Sequence, residues 1–286
     1  MVSKGTIAPD RTEIGTMELL NDFHIHTVYS NHSHPTMTVP NILAAALDTG
    51  LKEIVVLEHI PPIGTPQPVT DWYAHRNKRD SLDLIQSQLT QCEDLFPSLK
   101  VWRGAEVDAD PFKMDGSLML DDASGLDLLL GSTHVLPGGA SFWFDRSTLT
   151  PEKSWEIATS WRDWTVQMIR GKRIKVLTHP CDILGARSLT PPFDNRETLQ
   201  LLEPLLQALV DCNVAFELNE LLGTKLKNPY RSSYTSVVQR AREMGAVFSI
   251  ASDAHQPDRI GQFIWVRELM AGARIEEKDL WQGPGA

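Results

Sequence analysis

Seven short apolar runs recur along this chain, and each closes on a histidine or a carboxylate. "MELLNDFHIH" ends at His24 and His26, "KEIVVLEH" at His59, "KVWRGAEV" at Glu106 and "LDLLLGSTH" at His134. "RIKVLTH" ends at His179, "VAFELN" at Glu217 and Asn219, and "AVFSIASDAH" at Asp253 and His255. The runs are rich in Val, Ile and Leu, as strands buried on both faces are. Successive run ends lie 28 to 47 residues apart, the length of a strand, a helix and their loops.

Helical patterns fill most of the intervals. "TVPNILAAALDTG" carries Thr38 as N-cap, Pro40 in the first turn and Gly50 as the stop. "RNKRDSLDLIQSQLTQCEDLF", "PEKSWEIATSWRDWTVQMIRG", "NRETLQLLEPLLQALVDC" and "SSYTSVVQRAREMG" repeat apolar residues at helical period. The stretch between Glu106 and Leu126, rich in Asp, Gly and Pro, reads as loop or turn. Alternating strands and helices build a parallel sheet with helical cover, and chemistry gathers at the carboxyl ends of such strands. An open sheet would spread seven strand ends along a line, whereas a closed one brings them together. The expectation is therefore an α/β fold, a distorted seven-stranded (β/α) barrel, with its site at the C-terminal ends of the strands. One domain over residues 18–281 is expected, with an extension over 1–17 and a frayed tail over 282–286.

The bulk properties narrow the partners. The chain has 286 residues and a formal net charge of -10, which disfavours broad attraction to nucleic acid or anionic membrane. Its three cysteines, Cys92, Cys181 and Cys212, form no C-x-x-C pair and suggest a reducing cytoplasm. The first residues lack the apolar run of a signal peptide, and no run of about 18 apolar residues exists to span a membrane.

"NDFHIHTVYSNHSHP" holds four of the chain's nine histidines. His24 and His26, spaced i and i+2, share one face of a strand, which suits two ligands of one metal. Asp22 falls on the same face, where a carboxylate would hold the remote N–H of a ligating imidazole. A lone H-x-H is weak evidence, and any single histidine at a strand end reads equally well as a core or capping residue. The set carries the weight: His59, Glu106, His134, His179, Asp253 and His255 join the pair at one end of one barrel. Imidazoles and carboxylates together suit zinc, manganese or iron(II).

The ordered motifs "DFHIHT … LEH … GAE … GSTH … THP … ELN … SDAH" resemble the PHP (polymerase and histidinol phosphatase) family, most of all its small stand-alone phosphatases. The resemblance runs from about Asp22 to Gly261. It implies a distorted seven-stranded barrel holding three divalent ions, Zn2+, Mn2+ or Fe2+. It further implies His24, His26, Glu106 and Asp253 on one ion, with Glu106 bridging to a second held by His134 and His179. His32, His59 and His255 would take the third. The family's usual Thr-Asp-His is here Leu57-Glu58-His59, which puts the carboxylate before the ligand one methylene further out. The implied reaction is hydrolysis of a small phosphorylated substrate, a phosphomonoester or phosphodiester, by a hydroxide held between two ions. Asp253 or His255 would move the proton to the leaving alkoxide.

A phosphate substrate also calls for cations and polar groups at the rim. Arg187 and Arg231 rank first, ahead of Lys225, Lys227 and Arg259, with Asn219 at a strand end and His34 as a rim contact. His75 lies in a stretch that reads as a loop over the site or the entry to a helix. Phe142, Trp143 and Phe144 suggest an apolar wall, while Trp155, Trp161 and Trp164 have the spacing of a helix core. Hydrolysis of a carboxylic ester, lactone or amide, nuclease action, and a non-catalytic metal-stabilised module are the competing readings.

Overall fold

The computed structural model describes residues 17–30, 32–60, 78–136, 140–141, 150–182, 195–226 and 230–285. Its centre is a parallel barrel of seven staves: β1 (Asn21–His26), β2 (Glu53–Leu57), β4 (Lys100–Asp108), β5 (Leu128–Ser132), β8 (Val176–Leu177), β9 (Ala215–Asn219) and β10 (Phe248–Ala251) pair in that order. β3 (His59–Ile60) continues β2 beyond Glu58 and pairs with β4. The ring closes where His26 N donates to Ala254 O at 3.1 Å, beside a parallel bridge between Ile25 and Ala254. A small hairpin, β6 (Val135–Leu136) with β7 (Ala140–Ser141), stands apart. The barrel is the one expected from the apolar runs.

Alternation along the staves sorts the core into two layers. Val55, Leu57, Leu128, Leu130 and Ala215 cluster together, while their neighbours Ile54, Val56, Leu129 and Phe216 belong to the larger cluster under the helices. Side chains of a strand point alternately to its two faces, so the small cluster fills the barrel and the large one lies between sheet and helices. On β4, Ala105 and Val107 join the helix-facing layer, which leaves Glu106 and Asp108 pointing inward. On β1 the alternation is reset. Phe23 belongs to the inner cluster and Ile25 to the outer, and the pairing with β2 shifts register between Asp22 and Ile25. This irregularity lets Phe23 fill the barrel while His24 and His26 reach the site.

The helices α1 (Val39–Asp48), α2 (Lys78–Cys92), α3 (Pro151–Arg170), α4 (Asn195–Cys212) and α6 (Tyr230–Glu243) match the periodic segments. Thr38 occupies the N-cap position of α1 without a side-chain bond, whereas Thr150 caps α3 by accepting from Lys153 N at 3.2 Å. Trp161 and Trp164 of α3 are buried as expected, but Trp155, expected in the core with them, is exposed, because six residues along a helix do not return to the same face. Between Asp110 and Asp127 there is no helix; Asp110 Oδ1 accepts from Phe112 N and Lys113 N and shapes a turn. Two helices were not read from the sequence, α5 (Glu220–Lys225) and α7 (Ile264–Ala273), and both flank the site. Among the described residues no helix is long and apolar enough to cross a membrane.

The C-terminal stretch, described as far as Gly285, packs back on the barrel where a frayed tail was expected. Trp281 N donates to Phe248 O at 2.8 Å, and the Trp281 ring meets Phe23 edge-on at 5.0 Å. Gly283 is buried with φ +89, and a side chain there would lie 2.9 Å from Glu53 Oε1. The chain folds back beneath the barrel at a glycine because only glycine adopts that backbone freely. Trp281→Ala is accordingly expected to cost about 2–3 kcal/mol, below the usual loss for a fully buried aromatic. Urea denaturation would measure it, and an unchanged midpoint would show that the base needs no plug.

Candidate metal centre

The buried carboxylate of Glu106 lies at the middle of the strand ends. Its Oε2 faces His59 Nδ1 at 2.7 Å, His26 Nε2 at 3.5 Å and His24 Nε2 at 3.6 Å. Its Oε1 faces His179 Nε2 at 2.8 Å and His134 Nε2 at 3.4 Å, and accepts from Thr178 Oγ1 at 3.2 Å. One carboxylate thus addresses two groups of imidazoles with its two oxygens. Asp253 Oδ1 approaches the first group, 3.6 Å from His24 Nε2 and 3.4 Å from His26 Nε2. Asp253 sits in the left-handed region at φ +54 and His179 at φ +27, uncommon conformations that cluster at functional sites.

A second ring of acceptors fixes the imidazoles. His24 Nδ1 donates to Glu217 Oε1 at 2.8 Å, and His134 Nδ1 to Asp108 Oδ2 at 2.9 Å. His26 Nδ1 lies 3.4 Å from Glu58 Oε1. An ionised carboxylate only accepts, so each of these rings carries its proton on Nδ1 and presents a bare Nε2 to the interior. The extra methylene of Glu58 does not stop it reaching His26. Asp22, expected in this role, does something else: its carboxylate accepts from Ser252 N at 2.9 Å and Gly261 N at 3.1 Å. The register shift in β1 takes it off the face of the two histidines. Burial lifts its pKa to about 6 in spite of those bonds.

This donor set fits cations. The Nε2 atoms of His24 and His26 meet at 2.9 Å, closer than two bare lone pairs allow, and His134 Nε2 faces Glu106 Oε1 at 3.4 Å. Both arrangements repel unless positive charge lies between them. The buried Nε2 of His255 has no hydrogen-bond partner among the described residues. His255 Nδ1 donates to Asp253 O at 2.9 Å, which again leaves Nε2 bare. Among the described residues, three sets bring their ligand atoms within 4.8 Å of one another: His24, His26 and Glu106; His59, Glu106 and His134; His26, His59 and His255. The first holds three of the four residues expected on one ion and lacks Asp253. The others share His59 between Glu106 and His255, while His179 keeps close to Glu106 Oε1 and His32 stacks on His255 at 4.3 Å.

The electrostatics agree. Burial would depress His24, yet Glu217, Asp253 and Glu106 outweigh it and hold its pKa well above the usual imidazole value. Burial, reinforced by His26, drives His59 and His255 well below it. Burial opposes the charge on Glu106 and Asp253, but the surrounding imidazoles prevail and keep both carboxylates ionised. Ionised carboxylates and the neutral imidazoles of His59 and His255 are ready ligands for a divalent cation, and a cation at His24 would take the place of the proton that its neighbouring carboxylates hold there.

The site opens into a cleft of about 520 Å³. Asn219 lines it, but its amide is committed within the protein: Nδ2 donates to Glu217 Oε2 and Asp253 Oδ2, and Oδ1 caps α5 by accepting from Leu222 N at 2.7 Å. Arg231 is not among the lining residues. Its guanidinium lies 4.2 Å over the Trp265 ring and reaches Gly223 O. A Cβ on Gly223 would come within 1.8 Å of Trp265 Cδ1, so α5 approaches α7 as closely as only glycine permits. His34 is exposed; its Nδ1 bonds Thr36 Oγ1, and its N–H donates to His255 O at 2.8 Å. Among the described residues, the cations that line the cleft are Lys225 and Arg259. Arg187, Lys227, His75 and Phe142 to Phe144 lie outside the described residues.

With this geometry in place, comparison with known proteins gives the same family as the motifs. The family model of the PHP domain matches residues 22–221, and the chain belongs to that family. A probable phosphatase of Vibrio parahaemolyticus is 25% identical over 262 residues, covering 91% of this chain and 88% of the relative. A probable histidinol-phosphatase of Deinococcus radiodurans is 25% identical over 256 residues, covering 85% and 88%. Among solved structures, the histidinol phosphate phosphatase of Lactococcus lactis, complexed with zinc, L-histidinol and phosphate, superposes with a TM-score of 0.67 at 17% identity, covering 90% of this chain and 94% of that one. It shares the fold of this chain.

Proposed function

We propose that this chain is a metal-dependent phosphoesterase acting on a small phosphorylated substrate, a phosphomonoester first. The observation that carries the reading is Glu106, a buried carboxylate whose two oxygens face two different sets of imidazoles. The names of relatives and the zinc and phosphate in a protein of the same fold support it.

His24, His26, Glu106 and Asp253 would hold one ion, Glu106, His134 and His179 a second, and His32, His59 and His255 a third. When bound, such ions supply Lewis acidity: they draw charge from phosphoryl oxygens and acidify water. The chain's own residues do the rest. Glu217, Glu58 and Asp108 hold the imidazole tautomers and keep each Nε2 aimed inward. Asn219 fixes Asp253 through Oδ2, and Asp253 takes the proton of the attacking water and passes it to the leaving alkoxide oxygen.

Elemental analysis of protein reconstituted with zinc or manganese should find close to three ions per chain. Such protein should release phosphate from aryl and alkyl phosphomonoesters. EDTA should abolish the activity and added metal restore it. A metal-replete protein inert on every phosphoester but active on carboxylic esters or lactones would overturn the proposal.

A further inference from the structure

The mouth of the cleft carries a charge pattern that the metal centre does not use. Lys225 ends α5, after β9, and Arg259 ends the single 3-10 turn Pro257–Arg259, after β10. The two staves are adjacent, so the two cations flank one sector of the cleft. Both are exposed, and among the described residues neither side chain has a hydrogen bond or ion pair. The acidic residues beside them are occupied. Glu220 accepts from Trp265 N at 3.0 Å and Val266 N at 2.9 Å, capping α7, and Asp182 stands 3.7 Å from His179 Nδ1. Gln256, Gln262, Leu221 and Ile264 complete this sector without charge. In a chain of net charge -10, two exposed cations without an ion-pair partner among the described residues thus stand at the mouth of the cleft, while the lining acids Glu220 and Asp182 turn to partners of their own.

We infer that Lys225 and Arg259 recognise a second anionic group on the leaving portion of the substrate, so that the preferred substrate class is a phosphomonoester whose alcohol also carries a carboxylate or a second phosphate. The inference rests on the phosphoesterase reading. The metal ligands would engage one phosphoryl group at the floor. The unused donors at the rim then face whatever the phosphate is attached to. Arg259 offers a planar fork that matches a carboxylate or phosphate, and Lys225 a point charge. A cationic leaving group, such as an amino alcohol, meets repulsion in the same place.

Two measurements test this on the metal-loaded protein. In calorimetric titration, 3-phosphonopropionate should bind about tenfold more tightly than propylphosphonate, with 3-aminopropylphosphonate weakest. In turnover, kcat/KM should fall in the order 3-phosphoglycerate, glycerol 3-phosphate, O-phosphoethanolamine. The double variant K225Q/R259Q should bring the first two ligands of the binding series to within about twofold of each other. Lys278→Gln, a cation paired with Glu276 and absent from the cleft lining, should leave the ratio unchanged. Comparing a bisphosphate with 3-phosphoglycerate decides which second anion is preferred. Equal binding of the anionic and neutral phosphonates, with phosphomonoesters still hydrolysed, would overturn this inference and leave the phosphoesterase reading standing. So would an equal loss for all three ligands in the double variant, because the cations would then serve the phosphate itself. Absence of any phosphoester hydrolysis would overturn both.

Discussion

Glu106→Gln is expected to lower phosphomonoester hydrolysis about 10³-fold or more, the scale seen when a group central to transition-state charge is removed. The side chain keeps its size, so the change isolates charge and ligand chemistry from packing. The amide retains one acceptor, which can still take the Thr178 hydroxyl now 3.2 Å away. Its NH2 would confront bare imidazole nitrogens on the other side and cannot bind a cation there. Metal analysis should show loss of the ions that share this carboxylate. Glu106→Asp retains the charge but withdraws it by one methylene, and should recover part of both metal and turnover. Wild-type metal content and turnover in Glu106→Gln would show that no ion depends on this carboxylate.

The strand ends were legible because a histidine or carboxylate closing a run of Val, Ile and Leu breaks the run's own pattern. His134 after "LDLLLGS" and His179 after "RIKVL" are such breaks, although β8 is only two residues long, Val176–Leu177. Of the supporting carboxylates only Glu217 closes such a run, and the run does not say which histidine it serves. Asp108 lies in the strand that carries Glu106, and Glu58 reads as the neighbour of His59. Glu217 stands 193 positions from the histidine it orients. Which acid serves which imidazole is decided by stave order and by one register shift, neither of which is local. Spacing alone put Asp22 on the face of the two histidines, and the register shift in β1 takes it off. Loop position misled in the same way for Arg231: nearness to Glu217 in sequence does not fix direction, and the aromatic face of Trp265, brought over by α7, claims the guanidinium. The helix α5 had a readable cap in Asn219, but a six-residue helix offers too little periodicity to register. The N-terminal cap of α7 comes from Glu220, a residue 45 positions away.

Glu217 carries the second large expectation. Three donors converge on its buried carboxylate: His24 Nδ1 at 2.8 Å, the backbone N–H of His179 at 2.6 Å and Asn219 Nδ2 at 2.9 Å. Removing the acceptor strands all of them away from water. Glu217→Ala is therefore expected to cost about 3–5 kcal/mol of folding stability, the loss usual when one partner of a buried charged network is deleted. The backbone bond to His179 also holds that residue in its left-handed conformation, φ +27. Without it His179 can relax and withdraw from Glu106. His24 loses the partner that keeps its proton on Nδ1, so metal affinity should fall about 10- to 100-fold beyond what instability explains. Glu217→Gln separates the two effects. One amide oxygen can still accept on one side, so most of the stability should return, while the NH2 on the other side opposes a donor and the metal deficit should persist. Denaturant unfolding of metal-free protein reads the first quantity, and competition for zinc with a chromogenic chelator reads the second. A Glu217→Ala protein with wild-type zinc affinity would mean that the ligand orientation is set elsewhere, by the strands alone.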